Sequence, residues 1–253
     1  MSSAETEIYG PFALETTELS KHFGGVKAVD RLTMSIPKAG MTSIVGPNGS
    51  GKSTLVNLLS GMLPIDGGMI IIDSVGLKVV KAYDTPSHGL TRTFQEVRLF
   101  EQITVWDNLM VVLTTRKWFP ALMERDKPSY KEKTEEILKS VGLWEKGRDL
   151  ALNLSYGQRK LLEIGRALAM DVKILLLDEP FAGLFPQMLE QVKSILKDMK
   201  AQGRTIIFIS HNMDIVRELS DRIFVLDSGE LLAEGDVEEV LSSAAVIEAY
   251  LGV

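Results

Sequence analysis

Gly46-Pro47-Asn48-Gly49-Ser50-Gly51-Lys52-Ser53-Thr54 fits the pattern G-x-x-x-x-G-K-[ST], with the lysine and the hydroxyl in the required places. Ile44-Val45 precedes it, and Leu55, Val56, Leu58 and Leu59 follow at helical spacing, so the stretch reads as a phosphate-binding loop between a strand and a helix. Gly46, Gly49 and Gly51 have no Cβ, which lets the backbone curl until several N–H groups converge on a polyphosphate. The helix that opens near Lys52 adds the positive end of its dipole, about 0.3–1 kcal/mol per anionic contact. Lys52 adds a point charge between the β- and γ-phosphates, Ser53 offers a hydroxyl to Mg²⁺, and Thr54 is a second phosphate contact. Chance alone produces the four fixed positions in roughly one chain in a hundred of this length.

Around this loop the composition is that of a globular protein. The chain has 253 residues, 45% of them hydrophobic, with Gly 21 and Pro 9, which suits a single two-lobed domain. Net charge is −6 with no basic block, so a nucleic-acid backbone is not an expected partner. The absence of cysteine excludes disulfides and thiolate metal sites and agrees with a reducing cytosol. The polar, acidic start, Met1 to Glu7, lacks the basic and apolar regions of a secretory signal. No apolar run approaches the ~20 residues that span a bilayer. The expectation is a cytosolic chain, or one peripheral to a membrane through a partner.

Upstream, residues 13–19 and 32–36 alternate as half-exposed strands, and His22-Phe23-Gly24-Gly25 lies between them. Phe23 is open to two readings, a ring that stacks on a purine or a buried turn aromatic. Downstream comes a strand at 69–72, and then 73–87, to which the pattern assigns no role. From Thr104 to about Lys160 the texture becomes helical, with helices over 105–113 and 130–141 and one opening at Tyr156, separated by breaks at 118–120 and 127–128. This block reads as a helical lobe inserted into an α/β chain. Ser155 and Gln158 form the S-x-x-Q of a capping box, and the same helix start presents N–H groups able to hold a phosphate.

Residues 173–180, Lys-Ile-Leu-Leu-Leu-Asp-Glu-Pro, are an apolar run ending in two carboxylates, as in a strand buried on both faces of a parallel sheet. Strand alternation predicts that Asp178 and Glu179 point in different directions, one toward a metal and the other toward a water. Helix 187–201, strand 205–209 and His211 follow, which places His211 and the acids at the carboxyl ends of strands, where ligands sit in open parallel sheets. A helix at 213–219, strands at 222–226 and 230–233, and helices at 238–241 and 246–251 complete the chain, with no internal repeat or low-complexity segment.

Taken in order, the phosphate loop, Gln95 at the start of the helical block, residues 154–158, the strand with paired acids, and His211 resemble the ATP-binding subunit of ABC transporters over essentially the whole chain. The resemblance implies an α/β fold: a P-loop NTPase (RecA-like) core of residues 1–94 and 161–253, with an N-terminal antiparallel β-subdomain and a helical subdomain inserted at about 95–160. It implies ATP and Mg²⁺ as ligands, with Gly46 to Thr54 on the phosphates and Ser53, Gln95 and Asp178 toward the metal. Phe23 would stack on adenine, Gln95 would sense metal and attacking water, Glu179 would be the general base, and His211 would contact the γ-phosphate. Ser155, Tyr156, Gly157 and Gln158 would meet the γ-phosphate held by a second copy, so that each site is shared in a head-to-tail dimer. The dimer would lie under membrane permease subunits, with a substrate-binding protein beyond them, peripheral to the cytoplasmic face of the inner membrane.

Within that family the chain is most similar to branched-chain amino acid importer ATPases, by residues 92–95 and 97–100, Tyr156, Ala182-Gly183-Leu184 and a terminus reading Val246-Ile247-Glu248-Ala249-Tyr250-Leu251-Gly252. Lipopolysaccharide-export ATPases share Pro180 to Gly183, and urea-type importers are a third possibility. A soluble ABC-type ATPase acting on DNA or ribosomes would carry a coiled coil or a tandem cassette, and a GTPase would carry Asn-Lys-x-Asp; this sequence has neither. Two positions depart from the family pattern. Tyr156 stands where Gly is usual, and Phe185 replaces the Asp or Asn that communicates between the two sites.

Overall fold

Alternate residues of the central strands are buried in two different cores, as a sheet covered on both faces requires. The computed structural model describes residues 11–93, 98–114 and 128–251. In chain order the strands are β1 (Phe12–Phe23), β2 (Val26–Pro37), β3 (Met41–Val45), β4 (Gly67–Ile72), β5 (Val75–Leu77), β6 (Leu90–Arg92), β7 (Ile174–Asp178), β8 (Thr205–Ile209), β9 (Arg222–Asp227) and β10 (Glu230–Gly235). The described α-helices are α1 (Lys52–Leu59), α2 (Val105–Leu113), α3 (Pro128–Ser140), α4 (Tyr156–Ala169), α5 (Pro186–Ala201), α6 (Met213–Leu219), α7 (Val237–Leu241) and α8 (Ala244–Leu251).

Six strands form one sheet in the order β10-β9-β3-β8-β7-β6, parallel from β9 to β6 with β10 antiparallel at the edge. Leu175, Leu177, Ile206 and Phe208 face a core shared with α4, α5 and the helical block. Ile174, Leu176, Ile207 and Ile209 face the other core, closed by Leu55, Val56, Leu58 and Leu59 of α1 and by the second sheet. That sheet is antiparallel, in the order β2-β1-β4-β5. It supplies Leu14, Leu19, Ile36, Ile70 and Ile72 to the second core.

In the helical block, α2, α3 and α4 meet at Gly165, where an added Cβ would lie 3.2 Å from Ile137 and 3.5 Å from Val141. Even a methyl there would require Ile137 to give by a few tenths of an ångström, so the small residue suits the close approach of the helices. The expected elements are present with shifted ends: β1 and β2 run on to the hairpin at Gly24-Gly25, and α3 begins at Pro128. Residues 73–87, without expected structure, contain β5 and a short 3-10 helix, Thr85–His88. The breaks expected at 118–120 and at Lys127, and the acidic start of the chain, lie outside the described residues.

Candidate functional site

The loop of residues 46–51 carries the chain from the end of β3 into α1. Gly46 has φ 150° and Gly51 φ 97°; a Cβ at the first would collide with the Leu226 carbonyl and at the second with the Ala28 carbonyl. Only glycine permits this path. Gly51 caps α1 without a side-chain hydrogen bond, which leaves the first-turn N–H groups for an anion. Lys52 is buried, and its ammonium donates to the Gly46 and Pro47 carbonyls, both at 2.8 Å, and to Ser50 Oγ at 3.3 Å. Burial lowers its pKa, with the charge of Glu179 opposing that shift. Ser53 is exposed in the first turn.

β7 delivers the acids to the same place. Asp178 is its last residue and is buried, whereas Glu179 lies just beyond with φ 50°, in the left-handed region that a non-glycine residue rarely adopts. Contrary to the sequence expectation, strand alternation does not set the direction of Glu179, because β7 ends at Asp178. The backbone turn before Pro180 does, and both carboxylates reach one cleft. That cleft, of about 510 Å³, is lined by Asn48 to Thr54, Asp178, Glu179, His211, Ser228 and the 26–28 segment of the β1–β2 hairpin.

Burial raises the pKa of the Glu179 carboxyl; His211 opposes that and the charge of Asp178 adds to it. His211 Nε2 stands 3.2 Å from Glu179 Oε1, within ion-pair range but off a hydrogen-bond direction, so this buried oxygen has no hydrogen-bond donor among the described residues. A buried carboxylate oxygen left without a donor is able to accept from a water bound in the cleft. The oxygens of Ser53 and Asp178 beside the phosphate loop suit a hard divalent cation. No group of three or more His, Cys, Asp or Glu occurs among the described residues that could cage a metal alone. A set of few protein oxygens supplemented by phosphates is the arrangement Mg²⁺ takes.

Two basic side chains support the acids. Lys160 of α4 is buried and donates to the Glu179 carbonyl at 2.6 Å, with its ammonium 5.5 Å from the centre of the Tyr156 ring. Arg92 of β6 reaches Asp178 Oδ2 at 2.9 Å, and its other terminal nitrogen donates to Asn57 Oδ1 at 2.7 Å and Ser60 Oγ at 2.9 Å.

The structure thus brings Gly49, Ser50, Gly51, Lys52, Ser53, Thr54, Asp178, Glu179 and His211 together. Ser155, Tyr156, Gly157 and Gln158 are not among the residues lining this cleft. They open α4, where Gln158 N–H donates to Ser155 Oγ at 3.3 Å and Ser155 N–H to Gln158 Oε1 at 3.0 Å, the expected capping box. Phe23 is 47% exposed, which removes the buried-aromatic reading; it lies on the hairpin that borders the cleft, with the Lys21 ammonium 5.5 Å from its ring centre. Gln95 lies outside the described residues. Arg92, Lys160 and the hairpin segment 26–28 escaped sequence reasoning. A signal existed for Arg92, since a charge in a three-residue buried strand needs a partner. Tyr250 of α8 escaped as well; its hydroxyl is pushed up to about 12 by burial, while a hydrogen bond with the Gly46 backbone draws it down.

Residues 29–182 match the family model described as ABC transporter, and residues 230–253 match one described as branched-chain amino acid ATP-binding cassette transporter. The chain is 35% identical to the "Probable branched-chain amino acid transport ATP-binding protein" of Methanocaldococcus jannaschii, over 94% of this chain and 97% of that one. It is 34% identical to the high-affinity branched-chain amino acid transport ATP-binding protein of Escherichia coli K12, with the same coverage. Among solved structures, the ADP conformation of an ATP-binding cassette of an ABC transporter superposes with a TM-score of 0.81 at 34% identity, covering 96% of this chain and 99% of that one.

Proposed function

Because the chain belongs to the ABC transporter ATP-binding family, we propose that it hydrolyses ATP, with Mg²⁺, to drive the import of branched-chain amino acids. The observation that carries this reading is the single cleft in which the phosphate loop, both carboxylates and His211 converge. The match of residues 230–253 supports the choice of substrate.

In this mechanism the loop amides and Lys52 hold the phosphates, and Phe23 lies against the adenine. Ser53 and Asp178, with Gln95, hold Mg²⁺, whose charge would offset that of the phosphates. Glu179 accepts the proton of the attacking water through the oxygen that lacks a donor, and His211 steadies the γ-phosphate and Glu179 together. The raised pKa of Glu179 suits a base, since a carboxylate stripped of water binds a proton more strongly. Ser155, Tyr156, Gly157 and Gln158 lie apart from this cleft and serve the γ-phosphate of a second copy, so two chains face head to tail. Residues 1–94 and 161–253 form the nucleotide core and about 95–160 the helical lobe, whose part near Gln95 to Leu113 passes closure of the pair to membrane permease subunits served by a substrate-binding protein. No described helix is long and apolar enough to cross a membrane; we place the chain at the cytoplasmic face of the inner membrane, held by those permeases.

Glu179→Gln tests the reading. It keeps ATP binding but slows turnover by roughly 10²–10³-fold, the effect of losing one positioned catalytic group. With ATP and Mg²⁺ the variant sediments as a dimer, and without nucleotide as a monomer. Near-normal turnover would remove Glu179 from the role of base. Co-purification from membranes with an export assembly instead of two permeases and a binding protein would overturn the import reading.

A further inference from the structure

Arg92 joins the elements that carry Ser53 and Asp178, two of the three residues assigned to the metal, and we propose that it is a positioning residue for that site. Ser53 lies on α1 and Asp178 ends β7; the Arg92 guanidinium bonds Asn57 and Ser60 at the far end of α1 and Asp178 Oδ2 at the tip of β7. Backbone pairing of Arg92 with Leu176 fixes where the side chain starts. The ion pair is buried, with side-chain exposures of 8% for Arg92 and 6% for Asp178.

The chemistry requires arginine. A guanidinium is a rigid fork that can hold a carboxylate with one terminal nitrogen and an amide and hydroxyl with the other, whereas an ammonium is a point charge on a flexible stem. With Oδ2 held by Arg92, Asp178 cannot rotate freely, so its other oxygen is directed from a fixed frame. Partners of this kind behind a metal-bearing carboxylate set its orientation, and their loss typically lowers metal affinity about 10–100-fold. Arg92 also stands three positions before Gln95 in the chain. This inference rests on the proposed metal–nucleotide site.

The experiment titrates Mn²⁺ into the ADP complex of the full chain and follows free Mn²⁺ by electron paramagnetic resonance. Arg92→Lys keeps the charge and loses the fork. It is expected to bind ADP without metal as the parent does, and to hold Mn²⁺ about 10-fold more weakly. Asn57→Ala, which removes one of the two bonds from the guanidinium to the end of α1 without touching its charge and leaves the one to Ser60, shifts the affinity in the same direction by about 3-fold, a fraction of the same loss. In an Asp178→Asn background, Arg92→Lys adds nothing further. In steady state the Mg²⁺ requirement rises while KM for ATP at saturating Mg²⁺ is unchanged. Parental Mn²⁺ affinity in Arg92→Lys, or an equal loss in the Asp178→Asn background, overturns the proposal. If Arg92→Lys does not fold, Asn57→Ala decides, and unchanged affinity there overturns it. A parent chain that holds no Mn²⁺ with ADP overturns the nucleotide-site reading instead.

Discussion

Lys52 is a charge kept in a buried place by the carbonyls of its own loop. Its lowered pKa reflects water lost on burial, a cost that the phosphate oxygens of the proposed ligand would offset by supplying charge-assisted bonds. Lys52→Ala is therefore expected to weaken ATP binding on the order of 100-fold, the size of losing a hydrogen-bonded charge from such a site. Isothermal titration on a variant with a native circular dichroism spectrum checks this, and unchanged affinity would sink the phosphate assignment. At this scale the loop was legible because its chemistry is local, with glycines, lysine and hydroxyl at fixed spacing within nine residues. Arg92 was not legible as a partner of Asp178, because 86 positions separate them and only the adjacency of β6 and β7 brings them together. The turn at Glu179 was hidden for another reason: its positive φ belongs to the exit from β7, and nothing in the Leu-Leu-Asp-Glu pattern announces where that strand stops.

In the proposed pair helix α4 would serve two ends with one start, its own cap and the partner copy's phosphate, and the two can be separated. Ser155→Ala removes the cap and is expected to cost about 1 kcal/mol of stability in urea unfolding. Ser155→Asp restores a good cap and stays within about 0.5 kcal/mol of the parent. It sets a negative charge against the partner copy's phosphate, however, and turnover should fall at least as far as in Ser155→Ala. Equal turnover in Ser155→Asp and the parent would reduce the motif to a structural cap. Elements were legible where burial writes a period into the sequence. β7 and β8 are continuous apolar runs because both faces are covered, and α4 has an amphipathic stripe because one face is. β6 is too short to show a period. Segment 73–87 folds through the pairing of β5 with β4 and through short turn bonds, none of which writes a period, and Asp73 at its start binds Lys38 and Lys173, far away in the chain.

Across the whole molecule that acid is a fastening between the two sheets. Asp73 follows β4 and lies 2.6 Å from Lys38 Nζ, which precedes β3, and 2.7 Å from Lys173 Nζ, which precedes β7. Hydrogen bonds from Lys173 and Lys38 lower its pKa below the ordinary carboxylate value. A depressed folded pKa contributes stability that is present above the unfolded value, near 4, and is lost as pH falls through the folded value. Asp73→Asn should therefore cost about 1 kcal/mol at neutral pH, one partner of the ion pairs being solvent-exposed. That difference should shrink as urea melts are repeated below about pH 4; a constant difference would assign the loss to packing alone. The order of layers was legible from the alternation of strands and helices, while the fastening between them was not, because it links residues that no periodicity relates. The bond from Lys160 to the Glu179 carbonyl acquires its meaning at this scale. In the proposed head-to-tail pair, each helix that begins on the neighbour's phosphate is tied four residues into its first turns to its own base, so the pair is wired as a closed circuit. Damage to one chain is then felt at both junctions, and a mixed pair with a single Lys160→Met chain is expected to lose more than half the activity of an intact one.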